Sequence, residues 1–247
     1  MFRSKPTMTA AAMAAITLTS PITALAGDWA VGLGVVHEVS AYAGAGNNDA
    51  DLIPYIAFEG DRISADITGV SYRVYEKGAL ELDLGIAARW GLDLPDTALF
   101  SGLDRKATAE AAIRASYDFG PGDAVATIQR DILSVHDGIE ARLELDTEID
   151  TGTTEFGLSA GATYRDQSLN QHLFGVAATE ATAARAAYDP KADWTPFIGA
   201  RFATPITDNL TLVGFAETEH LSPTALNSPL IAKEFDSEFG LFVLTEF

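Results

Sequence analysis

The chain has 247 residues, of which 16 are Lys or Arg and 35 are Asp or Glu, so its formal net charge is −19. This balance argues against nucleic acid as a partner and against docking on an anionic cytoplasmic leaflet, because both require clustered cations. The absence of cysteine excludes disulfides, thiolate metal sites and cysteine nucleophiles. A hydrophobic fraction of 47% is too high for a disordered acidic tail, so the chain must bury or embed a large apolar surface.

The first 26 residues have the pattern of an export signal. Arg3 and Lys5 form a positive N-terminal region, Ala10–Leu18 is a short apolar stretch, and Ala24-Leu25-Ala26 is a small-x-small cleavage site. The apolar stretch is much shorter than the ~20 residues that a membrane-spanning helix needs. We therefore expect residues 1–26 to be removed on export and residues 27–247 to form a single domain.

Beyond this segment, apolar residues alternate with polar residues or glycines, which places successive side chains on opposite faces of a β-strand. In the stretch Ala79–Arg89, for example, the leucines fall on one face and the charged residues Glu81 and Asp83 on the other. Short Gly-, Asp-, Asn- and Pro-containing segments separate such stretches, as hairpin turns do. The pattern predicts strands over Trp29–His37, Leu52–Glu59, Arg62–Tyr75, Ala79–Trp90, Ala107–Asp118, Asp123–Ile132, Gly138–Glu148, Thr153–Tyr164, Trp194–Thr204, Leu210–Glu219 and Phe235–Phe247.

These strands favour a transmembrane β-barrel over a water-soluble sandwich. Their length of about 9–13 residues exceeds the ~5–6 of typical soluble strands and suits a tilted bilayer crossing. Their second face carries charges and glycines, which suit a polar lumen. Phe247 ends the chain on an alternating strand, and we interpret it as a C-terminal signal for barrel assembly. We therefore expect an all-β fold, an antiparallel barrel in contact with outer-membrane lipid.

The number of strands must be even in a bacterial single-chain barrel, whereas the pattern yields eleven. Gln171–Val176 is the natural twelfth strand, and we favour twelve strands over ten. With both termini in the periplasm, this assignment places the connection 91–106 on the periplasmic side, where it is unusually long. An Ala-rich stretch over Thr179–Tyr188 predicts two helical turns inside a loop.

Aromatic residues near the predicted strand ends suit the headgroup level of a membrane, where amphipathic rings are favoured. We expect such an interfacial position for Trp29, Tyr55, Trp90, Tyr117, Tyr164, Trp194 and Phe247.

A series of short blocks covers nearly all of the chain after the export signal. It comprises Ile53–Ile56, Phe58–Arg62, Gly69–Glu76, Gly102–Arg105, Ala111–Asp118, His136–Leu143, Asn227–Ile231 and the terminal strand. In this order the blocks resemble the MipA/OmpV family of outer-membrane proteins. The ending Leu244-Thr245-Glu246-Phe247 departs from the Tyr-Arg-Phe that members often show.

The resemblance implies a non-catalytic role. The protein for which the family is named is a scaffold that brings a lytic transglycosylase together with a bifunctional murein synthase at the outer membrane. Other relatives resemble adhesion or osmotic-response proteins. The resemblance therefore implies peptidoglycan enzymes as partners, and it transfers no catalytic residue to this chain.

A set of charged residues falls on the inward face of the predicted strands. If these carboxylates form a ring, they favour cation passage, so a small cation-preferring channel is the alternative function. If instead Arg114 and Arg142 pair with the carboxylates, the lumen is plugged by satisfied charges, and we favour this interpretation. The candidate lumen charges are Glu81, Asp83, Glu110, Arg114, Asp131, Glu140, Arg142 and Glu144.

Two further candidate sites have only weak support in the sequence. Ser134 and His136 lie two residues apart, as a hydrolase would need for a nucleophile and its base, but Asp137-Gly138 is typical of a turn. The acidic segment Asn47-Asn48-Asp49 with Asp51 has ligands for Ca²⁺, although such segments are more often solvated turns. We expect no enzymatic activity, no cofactor and no metal.

Overall fold

The computed structural model describes residues 28–46 and 50–247, which form a closed barrel of twelve antiparallel strands. Each strand pairs with its neighbours in sequence, and the last strand returns to pair with the first. The strands are β1 (Asp28–Val39), β2 (Ala50–Glu59), β3 (Ile63–Asp66), β4 (Gly69–Lys77), β5 (Leu80–Arg89), β6 (Thr108–Asp118), β7 (Gly122–Asp131), β8 (Ile139–Asp150), β9 (Glu155–Arg165), β10 (Asp193–Thr207), β11 (Leu210–His220) and β12 (Phe235–Glu246). The export signal expected at 1–26, and Asn47, Asn48 and Asp49 of the acidic segment, lie outside the described residues.

The prediction of twelve strands is confirmed, but the assignment of one strand over Arg62–Tyr75 is wrong. This stretch is the hairpin β3–β4. The carboxylate of Asp66 accepts hydrogen bonds from the backbone N–H groups of Thr68 (2.6 Å) and Gly69 (3.1 Å), which reverses the chain. The alternation continues through the turn, so the hydrophobic pattern alone does not reveal it.

The assignment of a strand to Gln171–Val176 is also wrong, because most of it belongs to helix α1 (Gln167–Phe174). The helix begins after Asp166, whose carboxylate caps the backbone N–H of Leu169 at 2.8 Å. Thr179–Tyr188 forms turns and isolated bridges instead of the expected helix. A second, short helix, α2, covers Pro223–Leu226. Neither helix in the described part of the chain is long and apolar enough to cross a membrane.

The two ends of the barrel differ in the length of their connections. The end at which β1 begins and β12 ends has only short turns, at 60–62, 78–79, 119–121, 151–154 and 208–209, and we call it the turn end. The opposite loop end carries the long connections 90–107, 132–138, 166–192 and 221–234. Because β3 and β4 are two separate strands, the connection 90–107 after β5 lies at the loop end, with the other long connections. The sequence-based assignment, which put this connection at the end where β1 begins, is therefore wrong.

The two faces of the wall follow the predicted alternation. Leu84 and Ile86 of β5 are exposed on the outer surface, whereas Asp83 on the inner face is buried. The same holds for Leu143 and Leu145 of β8, which lie on the outside. The outer surface is therefore apolar, as a lipid-facing wall must be, and the charges point into the lumen.

Candidate functional site

Charged side chains from five strands and one loop form a continuous chain of ion pairs across the loop end of the lumen. Arg89 Nε lies 2.8 Å from Glu110 Oε1, and Arg89 Nη2 lies 3.2 Å from Glu140 Oε1. The second oxygen of Glu140 accepts from Arg165 Nε at 3.0 Å, and Arg165 Nη2 reaches Glu219 Oε1 at 2.8 Å. We call this set the upper network; its members are His136, Glu110, Arg89, Glu140, Arg165 and Glu219.

The upper network keeps charge buried at low cost because every carboxylate faces a cation. Arg89, Glu110, Arg165 and Glu219 are nearly inaccessible to solvent. A planar guanidinium binds two carboxylates at once, so each of the two arginines joins strands that are not adjacent. Such a network cross-braces the barrel interior.

A second group of ion pairs lies further from the loops. Arg142 binds Glu144 (2.9 Å) and Glu217 (2.8 Å), and its guanidinium carbon lies 3.4 Å from the centre of the Phe197 ring. Arg201 binds Asp146 in the same part of the lumen. The lumen here is braced between β8, β10 and β11.

The opposite wall has its own pairs. Arg73 Nη2 lies 3.1 Å from Glu81, and Arg73 Nε lies 3.4 Å from Asp83. Arg114 approaches the other oxygen of Asp83 at 3.7 Å. Of the predicted lumen charges, these groups contain all except Asp131.

Asp131 has a different role, which is to hold the turn between β7 and β8. Its carboxylate accepts from Thr108 Oγ1 (2.6 Å) and from the backbone N–H groups of Leu133 (2.9 Å), His136 (2.7 Å) and Asp137 (2.9 Å). Within this turn two non-glycine residues, Ser134 and Asp137, have positive φ angles of 56° and 55°. The Asp131 carboxylate accepts hydrogen bonds from four donors and thereby stabilises the unusual backbone conformation of this turn.

The position of His136 in this turn does not suit the hydrolase site considered for Ser134 and His136. His136 Nδ1 accepts from the backbone N–H of Gly138 at 3.0 Å, and Nε2 faces Glu110 Oε1 at 3.2 Å. The imidazole side chain is fully buried. Because Nδ1 accepts from Gly138 and Nε2 faces Glu110 inside a fully buried ring, His136 presents no accessible nitrogen with which to activate a serine.

Four arginines that complete these networks were not among the predicted sites. Arg73, Arg89 and Arg201 lie on the inward face of predicted strands, and Arg165 follows directly after one. Their alternation with outward apolar residues is the signal that could have identified them. Their pairing depends on which strands face each other across the lumen, and a single sequence does not contain that information.

The long loops pack against one another over the loop end. The Tyr42 hydroxyl donates to the backbone oxygen of Leu173 at 2.9 Å, and the Tyr42 ring packs on Phe100 and Phe174 at centroid distances of 6.0 and 6.4 Å. These partners come from connections on different sides of the barrel, so the loops meet across its mouth. We call the buried set the loop core; it comprises Ala41, Tyr42, Phe100, Leu169, Leu173, Phe174, Val176, Leu221, Ala225 and Leu230.

Polar contacts fix the same loops. Arg105 binds Glu180 at 2.9 Å and donates to the backbone oxygen of Gly175 at 2.9 Å. The hydrogen bond from Arg105 lowers the pKa of Glu180. Burial raises the pKa of the Tyr42 phenol well above its ordinary value. Both groups therefore keep the protonation states that these contacts require.

A cavity of about 1880 Å³ occupies the lumen. Its lining extends from Asp123 and Asp208 at the turn end to Arg89 and Glu110 of the upper network. At the turn end the cavity is rimmed by carboxylates. The turns and strand ends there carry Asp28, Glu59, Asp61, Glu76, Asp118, Asp123, Glu148, Asp150, Glu155 and Asp208.

Comparison with known proteins places this barrel in a family. The family model described as MltA-interacting protein MipA matches residues 31–247. The chain belongs to the MipA family. It is 26% identical to the outer membrane protein Omp26La of Vibrio anguillarum, and 25% identical to the outer membrane protein OmpV of Vibrio cholerae. Each of these alignments covers 83% of this chain and 81% of the relative.

Solved structures share the barrel with this MipA-family protein. An anion-selective porin from Comamonas acidovorans has 10% identity and a TM-score of 0.40, with 90% of this chain and 98% of the porin covered. The NanC porin has 8% identity and a TM-score of 0.44, with 87% and 98% covered. The closed twelve-stranded barrel and the family match, and not these low TM-scores, identify the chain as an outer-membrane β-barrel of the MipA/OmpV family. Such barrels have short periplasmic turns and longer extracellular loops, so we expect the turn end to face the periplasm.

Exposed aromatic residues lie near both ends of this MipA-family barrel, where we expect the membrane interfaces. Trp29 packs on Phe58 near the turn end, at a centroid distance of 5.1 Å, and Tyr164 packs on Trp194 near the loop end, at 5.3 Å. Tyr55, which we expected at an interface, points into the lumen instead, because it lies in register with the inward side of β2.

Phe247 lies at the turn end. Its backbone N–H and C=O exchange hydrogen bonds of 3.1 Å with Trp29, which closes the barrel there. The Phe247 side chain is 72% exposed.

Proposed function

We propose that this protein is a non-catalytic anchor in the outer membrane that docks a basic periplasmic protein on its acidic turn end. One observation carries the proposal, namely the difference between the two ends of the barrel. The loop end is covered by loops that pack on each other, whereas the turn end has only short turns around a lumen rimmed by carboxylates.

Charge favours a basic partner. At the turn end the carboxylates outnumber the nearby cations Arg62 and Lys77. Several of them, including Asp61, Glu155 and Asp208, are exposed. A mouth lined by one sign of charge attracts the opposite sign and raises the rate of association in a salt-dependent manner.

The family suggests which protein this is. The family model carries the description MltA-interacting protein, which supports a lytic transglycosylase of that kind as the partner. The resemblance also implies a murein synthase as a second partner, so that the barrel would hold a hydrolase and a synthase at one place beneath the outer membrane.

The test is binding of purified MltA to the barrel in lipid nanodiscs. In the turn-end variant, Asp61→Asn, Glu155→Gln and Asp208→Asn are combined. The matched control removes as many exposed carboxylates from the loop end, through Asp93→Asn, Asp96→Asn and Asp104→Asn. We expect the affinity of the wild type to fall between about 50 mM and about 200 mM salt, and only the turn-end variant to bind more weakly. Equal affinities of the two variants would contradict the proposal.

The carboxylate-lined cavity supports a cation-preferring channel as the second candidate function. Conductance in a planar bilayer under a salt gradient distinguishes the two. The anchor requires no ion flow, so we expect a silent barrel. Stable cation-selective steps that change when Glu81, Asp83, Glu140 and Glu144 are replaced by Gln would establish the channel instead.

A further inference from the structure

The barrel wall has a gap beside β2. Strand β3 is only four residues long and pairs with β2 through Ala57–Glu59 alone. In the described part of the chain, residues 50–56 of β2 therefore have no strand partner on the side away from β1. At about 3.4 Å per residue this leaves about 24 Å of strand edge. Pro54 lies within this stretch, and a residue without an N–H suits an edge that lacks a partner.

The gap is bounded from the turn end by the β3–β4 turn. Only Ala88 and Arg89 of β5 extend beyond this turn, so the other side of the gap is formed by the end of β5 and the connection 90–107 that follows it. The backbone N–H of Ala88 donates to the oxygen of Thr68 at 2.8 Å, which fixes the height of that turn. The lining of the lumen cavity includes Val70, Ile86 and Trp90 beside the gap as well as the inward-facing Tyr55. Because the gap lies in the half nearer the loop end, it faces the outer leaflet.

The borders of the gap are apolar. Leu52 and Ile56 on β2, and Val70 and Ile86 on β4 and β5, are all exposed on the lipid side. These four residues therefore present only apolar surface to a hydrocarbon chain that crosses the wall between them. The unpaired backbone edge of β2 provides polar groups for water or for a lipid headgroup, since hydrocarbon alone does not satisfy them.

An apolar patch lies directly inside the gap, in a lumen that is otherwise charged. On the inner wall Ile53 and Phe242 flank Gly34 in register, and Phe242 packs on Tyr55 at 5.7 Å and on Phe215 at 6.3 Å. A Cβ at Gly34 would lie 2.2 Å from the Phe242 ring, so the glycine makes room for it. We call this set the lumen patch; it comprises Ile53, Tyr55, Val213, Phe215, Phe242 and Leu244.

We propose that the gap admits a hydrocarbon chain of an outer-leaflet lipid, which binds the lumen patch inside the barrel. Ile53, Tyr55 and Phe215 line the cavity and supply the surface for the chain. The patch begins at β2, which is the border of the gap, and continues over β1, β12 and β11. Leu52 and Ile56 face the lipid and Ile53 and Tyr55 face the lumen on the same stretch of β2, so lipid-facing and lumen-facing apolar surfaces meet at this opening. The site is independent of the proposed docking at the turn end.

The experiment uses a photoreactive benzoylphenylalanine in place of Phe215. This position lies on β11, three strands or about 14 Å around the wall from β2, so the probe itself does not reach the bilayer. Leu158, exposed on the outside of β9, is the lipid-facing control, and its neighbour Ser159 is the inward control away from the patch. Each protein is placed in vesicles of phosphatidylethanolamine and phosphatidylglycerol and irradiated. Its mass is then determined by mass spectrometry, which detects covalent lipid adducts.

We expect lipid adducts at Phe215 and Leu158 and none above background at Ser159. Adducts at Leu158 alone would overturn the proposal. Adding Tyr55→Glu to the Phe215 probe places a charge on the patch and is expected to abolish the adduct, whereas Tyr55→Phe and Ser159→Glu preserve it. An adduct that survives Tyr55→Glu in a barrel that still shows a heat-dependent gel shift would also overturn it. If Tyr55→Glu does not fold, the Phe215, Leu158 and Ser159 probes decide alone.

Discussion

Arg165 and Glu219 lie 54 residues apart in sequence and are joined by one guanidinium nitrogen, Arg165 Nη2, at 2.8 and 3.0 Å from the two carboxylate oxygens. Arg165 is on β9 and Glu219 on β11, so the contact passes over the whole of β10. Since Arg165 also binds Glu140, removing Glu219 would leave a buried cation with half of its compensation.

We therefore predict that Glu219→Ala destabilises the barrel by about 3–5 kcal/mol, the usual cost of breaking a buried ion pair from one side. The measurement is a urea titration of the protein in vesicles, in which the heat-dependent gel shift reports the folded fraction at each urea concentration. The control, Asp208→Ala, removes an exposed carboxylate and is expected to change stability by less than about 0.5 kcal/mol. Equal effects of the two substitutions would show that the upper network does not brace the barrel.

The loop core gives a second prediction, which concerns the loop end alone. Tyr42→Ala removes a ring that contacts Phe100 and Phe174 together with its hydrogen bond to Leu173, and such truncations cost about 3–5 kcal/mol. Tyr42→Phe removes only the hydrogen bond, worth about 1 kcal/mol. We expect protease added outside whole cells to cut the loops of Tyr42→Ala rapidly, those of Tyr42→Phe slightly faster than wild type, and neither barrel wall. Loops equally resistant in all three proteins would contradict this role of the ring.

The strand faces were predictable because lipid outside and a polar lumen inside impose opposite chemistry on alternate residues. The pattern placed Glu81 and Asp83 on the inner face correctly. It failed at Asp66–Gly69, where the alternation runs through a turn, and at 171–176, where Leu173, Phe174 and Val176 pack in the loop core instead of on lipid. Both errors arise because periodicity reports which face is apolar, whereas turns and loop packing depend on local hydrogen bonds and on distant partners.

A third prediction concerns pH. Burial, followed by the charges of His136, Arg105 and Arg89, lowers the pKa of His172 to about 4, with Asp131 opposing the shift. In the unfolded chain the pKa is about 6.5, so between these values the unfolded state binds more protons than the folded state. Stability is therefore fully present above about pH 6.5 and falls as the pH decreases towards 4.

We expect the loops around α1 to become sensitive to acid-active protease over this pH range. In His172→Gln this pH dependence is expected to be weaker, because the substituted side chain does not titrate. Wild type and variant are compared at pH 7.5 and pH 4.5, with His37→Gln as the control for a histidine on the barrel wall. If the protease sensitivity of wild type and His172→Gln depends on pH in the same way, the assignment of this pH dependence to His172 is wrong.

The last prediction separates assembly from stability at Phe247. The side chain is largely exposed, and the barrel closes there through backbone hydrogen bonds to Trp29, which alanine preserves because it keeps the backbone N–H and C=O. Phe247→Ala is therefore expected to leave the free energy of unfolding of the refolded protein, measured by urea titration, within about 0.5 kcal/mol of wild type. If Phe247 is a C-terminal assembly signal, the amount of folded barrel in the outer membrane of cells is expected to fall severalfold. Leu241→Ala, which removes a lipid-facing side chain from the same strand, is the control and is expected to assemble normally. A normal amount of Phe247→Ala in the membrane would refute the assembly role, and equal losses in both variants would assign it to the strand as a whole.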